Sequence, residues 1–580
     1  MHRFRVWAPA AKQVEIEIGT ERTALRKIGG GWWEASIPQA GPGSDYAYVL
    51  DGQEPAVPDP RSQWQPHGVH GASRVVDDSA FVWSDRGWHA PAFASGIVYE
   101  LHVGTFTPEG TLDAAIAHLD YLVDLGITHV ELLPLAAFAG ERGWGYDGVD
   151  LFAVHEPYGG PAGLKRFVDA AHGKGLAVLL DVVYNHFGPA GAYLGKFGPY
   201  LTHSHTTPWG DAVNFEDAGS HEVRRFFCDN ALMWLRDYHI DGLRLDAVHA
   251  YMDRSAINFM EQLAEEVDEL GGESGKKFVL IAESDLNDPR LVTPRDKGGY
   301  GLDAAWSDDF HHALVTVLTG ERQGYYADFG SVEDLAKSLE HIFIYDGQYS
   351  AYRDRTHGRP APPDISGSRF LGYSQNHDQV GNRARGERLS HLAGLDAAKI
   401  AAALVLLGPF VPMLFQGEEF ASSAPFQYFT DHDEELGRLV SEGRKKEFVA
   451  FGWDPEDVPD PQAEETFNNS KLDWSEVDSE PHKSMLEWYR ALIRLRKTTP
   501  ALMDGRMESV NVRFEDTDAS KWISVHRGTV QVVCNLGDDS FRLPLPAGFL
   551  VCLKSVAGEV VDRDRITLPP KSVVVLTQGT

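Results

Sequence analysis

Apolar and polar residues alternate with a period of two at the start of the chain. Phe4 and Val6 begin the pattern, and Val14, Ile16 and Ile18 continue it. This period turns every second side chain of an extended strand toward a core. Trp32, Trp33 and the run Tyr46 to Leu50 follow, separated by Gly-Gly-Gly and Gly-Pro-Gly turns. Residues 1–90 are therefore expected to form an N-terminal β-sandwich of immunoglobulin-like type. One of Trp32 and Trp33 is expected in its core and the other at its surface. Pro55 to Ser73, rich in Pro, Gly and His, reads as a linker lying on the next domain.

From Gly96 the pattern changes. Strand-like runs start near 97, 129, 176, 242, 278, 302, 369 and 410. Helical periodicity lies between them, most clearly over Leu112 to Leu125, Leu164 to Lys174, 221–238 and Lys483 to Leu495. Eight β/α alternations over about 400 residues predict an α/β class domain, a (β/α)8 TIM barrel over 91–505. A doubly wound open sheet is the alternative. It usually carries a glycine-rich phosphate loop after its first strand, and Val103-Gly-Thr-Phe-Thr is not one. Residues 187–220 read as an irregular insertion after the third strand, and 421–480 as a long connection after the eighth. Short strands return from 506 (522–526, 530–535, 549–553 and 572–576), so 506–580 is expected to be a C-terminal all-β domain, a β-sandwich.

Composition narrows the function classes. The 580 residues hold 53 Lys and Arg against 85 Asp and Glu, a formal charge of −32. Such a surface repels phosphate backbones, so nucleic acid and anionic membranes are not expected partners. The three cysteines, Cys228, Cys534 and Cys552, have no metal-ligand spacing and are too few for a disulfide framework. The chain opens directly into a strand pattern, with no apolar leader-like region and no later run of about 18 apolar residues. A reducing cytoplasm is the expected location; the oligomeric state is left open.

The candidate chemistry lies at strand ends. In a (β/α)8 barrel the C-terminal ends of the strands converge on one face, where active sites are built. Asp246 ends the fourth strand, in Asp241-Gly-Leu-Arg-Leu-Asp-Ala-Val-His249. If Leu243 and Leu245 pack outward, Arg244 and Asp246 share the inner face, and Arg244 keeps Asp246 ionised. Glu283 ends the very apolar fifth strand, and Asp378 follows the seventh beside His377. Three converging acids repel one another, so at least one is expected to hold its proton. Glu283, after the apolar strand, suits a general acid, and Asp246 a nucleophile. Taken singly, each also fits an ion pair or a helix cap.

Four stretches resemble the signature segments of the α-amylase superfamily, glycoside hydrolase family 13, in that family's order: Asp181-Val-Val-Tyr-Asn-His186, Gly242-Leu-Arg-Leu-Asp246, Glu283 after its strand, and Asn376-His-Asp378. The resemblance covers about residues 95–500, and the N-terminal sandwich is similar to the carbohydrate-binding-module-like domain that precedes the barrel in branching and debranching members. Within the superfamily, 143–148, 374–383, 412–419 and 466–474 look like the members that release trehalose from maltooligosyl trehalose.

The resemblance implies a retaining glycosidase with Asp246 as nucleophile, Glu283 as acid/base and Asp378 as transition-state stabiliser. It implies that Tyr146, His186, Arg244 and His377 line the pocket of the reacting glucose, with His249 and Gln379 as further substrate-binding candidates. The implied reaction cleaves the α-1,4 bond next to the trehalose end of maltooligosyl trehalose or a related α-glucan. A glycogen branching enzyme, a transferase with the same triad, is the alternative; Gln379 after Asp378 favours the hydrolase. A non-catalytic glucan-binding protein is the remote one, expected to lack triad members. No cofactor and no metal are expected. Asn185 matches a calcium ligand of many amylases, but 187–220 holds only Asp211, Glu216 and Asp217 as acids. His203 and His205 read as a solvated loop. The glycine-rich segment 271–276 is one residue short of a phosphate loop and precedes a strand. The aromatic run 425–432 is placed either in the floor of the leaving-group subsites or in the core of its loop.

Overall fold

The computed structural model describes residues 1–449, 455–556, 561–562 and 564–579. At its centre eight parallel strands close into a barrel: β1 (Val98–Leu101), β2 (His129–Leu132), β3 (Ala177–Val182), β4 (Gly242–Leu245), β5 (Val279–Ala282), β6 (Ala304–Trp306), β7 (Phe370–Gly372) and β8 (Val411–Phe415). The ring is sealed by β8 against β1, with Met413 opposite Val98. These are the eight strands predicted from the hydrophobic runs. Gly242 lets β4 approach its neighbours: a Cβ there would lie 2.5 Å from the Val279 carbonyl oxygen.

Alternation decides what fills the barrel. Leu243 and Leu245 point outward into the core shared with the surrounding helices. Val98, Leu179, Val279, Ile281, Leu371, Val411 and Met413 pack together inside, with Trp306 and Tyr373. Two residues on from Val98 and Leu179, the interior turns polar. Glu100 lies opposite Glu131 across β1 and β2, and Asp181 opposite Arg244 across β3 and β4. The lower barrel is thus an apolar plug, and charged side chains sit on it at the C-terminal ends of the strands.

The helices follow the predicted spans with two differences. The expected helix Leu112 to Leu125 is two helices, Leu112–Ile116 and α1 (Leu119–Leu125). The break falls at His118, whose ring stacks on Trp474 at 4.0 Å, a tertiary contact outside any local pattern. α1 ends at Gly126, in the left-handed region at φ 103°. The helix expected from Leu164 starts earlier, as α2 (Gly160–Gly173), with Pro161 in its first turn. α3 (Ser220–Asp237), α4 (Phe259–Ser274) and α5 (Asp308–Thr319) follow. α6 (Leu389–Leu407) has the length and apolar composition of a membrane span. It packs between α7 (His482–Thr498) and the C-terminal sheet. The glycine-rich segment 271–276 forms the end of α4 and the turn after it.

The insertion 187–220 is more regular than expected. It contains a helix at Leu194–Phe197 and an antiparallel hairpin of Leu201–Thr207 with Gly210–Val213. His203 and His205 lie on that hairpin and pair with Asp211 and Glu216.

Before the barrel, strands His2–Trp7, Trp32–Ile37 and Arg26–Gly29 form one sheet. Val14–Ile18, Glu21–Ala24, Asp45–Leu50 and Ser73–Arg74 form a second. Trp33 is buried, while Trp32 is half-buried with Arg5 and Arg61 over its ring. After the barrel come a five-stranded and a three-stranded sheet. Val510–Thr517, Phe541–Pro544, Val561–Asp562 and Arg565–Leu568 are strands there beyond those expected. The first does alternate, with Val510, Val512 and Phe514 between polar residues, though it is largely exposed; the others are only two to four residues long.

Candidate active site

A cavity of about 430 Å³ opens at the C-terminal ends of the strands. Asp246, Glu283, Asp378, Arg244, Tyr146, His186, His377 and His249 line it, joined by Trp144, Asp147, Trp209, Ala247, Asn382 and Tyr428. Eight of the nine side chains expected at the site are therefore brought together. Gln379 is not in the lining; its backbone N–H is bound by the Asn376 side chain, which caps the helix His377–Gly381.

Arg244 organises the floor. Its Nη1 donates to Asp246 Oδ1 at 2.6 Å and to Asp181 Oδ2 at 2.7 Å. Its Nη2 lies 3.6 Å from Glu283 Oε2, and its guanidinium sits 4.2 Å above the Trp306 ring. Asp246 Oδ2 accepts from Asn185 Nδ2 at 2.6 Å. Both oxygens of Asp246 are thus held by donors, which suits an ionised nucleophile. Asn185 also bonds His186 through its Oδ1, so its amide is engaged on both sides.

The turn after Asp246 joins it to Glu283. Ala247 takes φ 42°, a left-handed conformation rare for a residue with a Cβ. That turn aims its N–H at Glu283 Oε2, 2.6 Å away. Burial pushes the Glu283 carboxyl well above the usual range; Arg244 works against this, and Asp246, Asp308 and Asp378 add to it. Asp378 is also raised by burial, with His377 and Arg244 opposing. Its Oδ1 accepts from Asn382 Nδ2. Asp181 is pushed up to about 6 by burial, despite Arg244 beside it.

The aromatic and imidazole groups form the walls. The Tyr146 ring stacks on His377, centroids 5.1 Å apart, and its hydroxyl donates to Asp181 Oδ2. His377 is fixed from below by Glu100, whose Oε1 accepts from its Nδ1. His186 donates from Nε2 to the Tyr146 carbonyl at 3.0 Å, and burial lowers its pKa. Trp209, at the turn of the inserted hairpin, stacks on His186 at 5.1 Å and leaves 47% of its surface exposed. His249 sits at the edge, its Nδ1 4.0 Å from Asp285 Oδ1. Of the aromatic run 425–432, Phe426 and Phe429 pack in a core with Trp144, and Tyr428 reaches the cavity.

No site role follows from the sequence for Asp181, Trp306, Trp209 or Glu100, and Asn185, which matches a calcium ligand of many amylases, instead bonds Asp246 and His186. Asp181 and Asn185 were visible as part of a signature stretch. Trp306 and Glu100 carry no local signal, because their partners come from distant strands. Among the described residues no group of three His, Cys, Asp or Glu is placed to hold a metal ion.

The arrangement offers one carboxylate held by two donors, one carboxyl whose pKa burial raises, and a third acid across a cleft lined with rings. That set suits covalent displacement at a sugar carbon. A family model described as the alpha amylase catalytic domain matches residues 76–203. Carbohydrate-binding module 48, the isoamylase N-terminal domain, matches 1–64, and a domain of unknown function matches 506–575. A crystal structure of a Salmonella typhimurium protein superposes with a TM-score of 0.91 at 39% identity, covering 99% of this chain and 97% of that one. A 1,4-alpha-glucan branching enzyme from Corynebacterium jeikeium is 29% identical over 72% of this chain and 61% of its own length. A malto-oligosyltrehalose trehalohydrolase from Rhizobium sp. (strain M-11) is 50% identical over 582 residues, 99% of this chain and 97% of that protein. With half its residues shared across nearly the whole length of such a relative, and a closed barrel bearing the acids at its strand ends, the chain belongs to the malto-oligosyltrehalose trehalohydrolase family of the α-amylase superfamily.

Proposed function

We propose that this chain is a retaining glycosidase that cleaves the α-1,4 bond next to the trehalose end of a maltooligosyl trehalose. Asp246 attacks the anomeric carbon of the glucose preceding the trehalose. Glu283 delivers its proton to the departing oxygen, and free trehalose leaves. Glu283, now a carboxylate, takes a proton from water, which attacks the glycosyl–Asp246 ester and releases the malto-oligosaccharide with its configuration retained. Asp378 holds the hydroxyls of the reacting sugar as positive charge develops on its ring. Tyr146 and His377 supply one wall for that sugar, and His186 lies beside them.

The observation that carries this reading is the paired state of two acids around Arg244. Asp246 has donors on both oxygens, while Glu283, buried 3.6 Å from the same guanidinium, is driven toward its protonated form. Nucleophile and acid need opposite protonation states at one pH, and this environment favours them.

The test is product analysis. Incubated with maltotriosyl trehalose, the protein should give maltotriose and trehalose in equal amounts, with retained anomeric configuration on early sampling by NMR. New α-1,6 branches formed in amylose, with no trehalose released, would assign it to branching chemistry instead.

A further inference from the structure

Glu100 and His377 form a buried contact that the two-step chemistry above does not use. Glu100 lies near the C-terminal end of β1, three strands round the barrel from β4, and its side chain is 1% exposed. Its Oε1 accepts from His377 Nδ1 at 2.6 Å, and its Oε2 accepts from the His377 backbone N–H at 2.9 Å. One carboxylate thus fixes both the ring and the backbone of the residue immediately before Asp378. The His377 side chain lines the cavity.

The surroundings indicate which partner carries charge. Glu131, opposite Glu100 in the barrel register, is fully buried, and neither of its carboxyl oxygens has a hydrogen-bond partner. An ionised carboxylate without donors is very costly there, so Glu131 is the neutral member of the acid pair. Glu100 has two donors and is the member suited to ionisation. Other charged groups also act on His377: Asp378 on its own turn, Asp181 from β3, Arg244 from β4 and His102 after β1. The rings of Tyr146, Trp144 and Trp306 pack around it. Burial, the largest single influence, would lower the His377 pKa; Glu100 and Asp378 together outweigh it, and the net direction is upward.

We propose that Glu100 is a positioning residue for the glycosidase reaction: by gripping both N–H groups of His377 it keeps the imidazole doubly protonated, with Nε2–H available as a donor to the reacting sugar, and fixes the turn that carries Asp378. The inference rests on the glycosidase reading for its kinetic arm alone. When His377 loses a proton, Glu100 retains the one on Nδ1, so Nε2 changes from donor to acceptor. While Glu100 holds Nδ1–H, the Nε2 donor is a charged one, and that charge, which strengthens its bond to the sugar, depends on Glu100.

Glu100→Gln separates charge from shape. A glutamine oxygen still accepts from the backbone N–H, and its amide donates to Nδ1 of a neutral ring. His377 is then a neutral ring protonated on Nε2: the Nε2–H donor is kept, and what is lost is the positive charge behind it. The protein is labelled with 15N-histidine, the His377 signal is assigned with His377→Asn, and the titration is followed without substrate. In the parent His377 should titrate above the ordinary histidine value, and in Glu100→Gln below it. On maltotriosyl trehalose, kcat should fall on the order of tenfold to a hundredfold with little change in KM. Glu100→Gln should add nothing to His377→Asn in the double variant. Glu100→Asp keeps the carboxylate and should retain the raised titration even where its shorter reach lowers kcat.

Identical His377 titration in parent and Glu100→Gln would overturn the proposal, and so would a loss of melting temperature alone with kcat unchanged. If the parent does not cleave maltotriosyl trehalose, the trehalose reading fails. The NMR arm still decides the role of Glu100, and its kinetic arm moves to any α-1,4-glucan the parent does cleave.

Discussion

Arg244 and Asp181 form an ion pair at the floor of the active-site cavity, Nη1 to Oδ2 at 2.7 Å, each side chain only 2% exposed. The same Nη1 also holds Asp246. One guanidinium therefore serves two buried carboxylates, and its removal strands both. Arg244→Met should destabilise the fold by about 3–5 kcal/mol, the usual cost of leaving a buried charge unpaired. The loss should shrink at low pH, because Asp181, raised to about 6 by burial, can then take up its proton. Thermal melts of parent and variant at pH 5 and pH 8 read this directly; an equal loss at both would refute the electrostatic account.

Asp181 gives stability its own pH dependence. Its folded pKa is raised from 3.8 to about 6, chiefly by burial. For a raised acid the sign is fixed: its contribution is fully present below the unfolded value and is lost as pH rises through about 6. Asp181→Asn removes this titration. The variant's stability should therefore fall less than the parent's between pH 4 and pH 7, as followed by urea unfolding.

Asp246→Asn tests the nucleophile. The amide keeps a similar shape but cannot form a stable glycosyl ester. Turnover should drop by several orders of magnitude while trehalose-terminated glucan still binds. Calorimetry with that variant and steady-state kinetics check both halves. Near-parental hydrolysis would move the nucleophile elsewhere.

In the proposed mechanism Glu283 sets the alkaline side of the rate profile. Its carboxyl is raised well above the usual value by burial, and catalysis needs it protonated. Activity is therefore present below that raised pKa and lost as pH climbs through it. In Glu283→Gln the alkaline limb should vanish with the acid. A glycosyl fluoride, whose leaving group needs little protonation, should recover the first step. A folded variant that shows no such rescue would mean the proton comes from another group.

How much of this was legible in the chain depends on the range of each interaction. The barrel strands are continuous apolar runs, so local pattern places them, and Arg244 with Asp246 lie two residues apart on one strand face. The partners of Glu100 and Trp306, His377 and Arg244, lie far away in sequence, and nothing local marks them. The left-handed turn at Ala247 is invisible for a different reason: alanine is no turn signal, and the conformation is imposed by the contact with Glu283. The inserted hairpin was read as irregular because its Pro208–Gly210 turn and polar strands carry no apolar alternation. Yet it brings Trp209 to the cavity.

Selectivity for a trehalose end has to be read beyond the reacting glucose, which is the same in any α-1,4-glucan. Trehalose joins two glucoses through both anomeric carbons, so its hydroxyls present a geometry that a maltose end lacks. A donor left unpaired by the wrong end costs roughly 1–3 kcal/mol, and two such groups give about a hundredfold preference in kcat/KM. Maltotriosyl trehalose should therefore be split far faster than maltopentaose. Trp209, 47% exposed, and the half-buried Tyr428 are rings at the cavity rim that can meet sugar outside the reacting site; Tyr428 also packs edge-on against Trp144 at 5.1 Å. Trp209→Ala and Tyr428→Ala should each raise KM for the trehalose-ended substrate and narrow the ratio between the two substrates, while the alkaline limb set by Glu283 stays in place. Competition assays with both glucans in one tube measure that ratio. An unchanged ratio in both variants would place the trehalose contacts on other walls of the cavity, and equal rates for the parent on the two glucans would reject trehalose selectivity altogether.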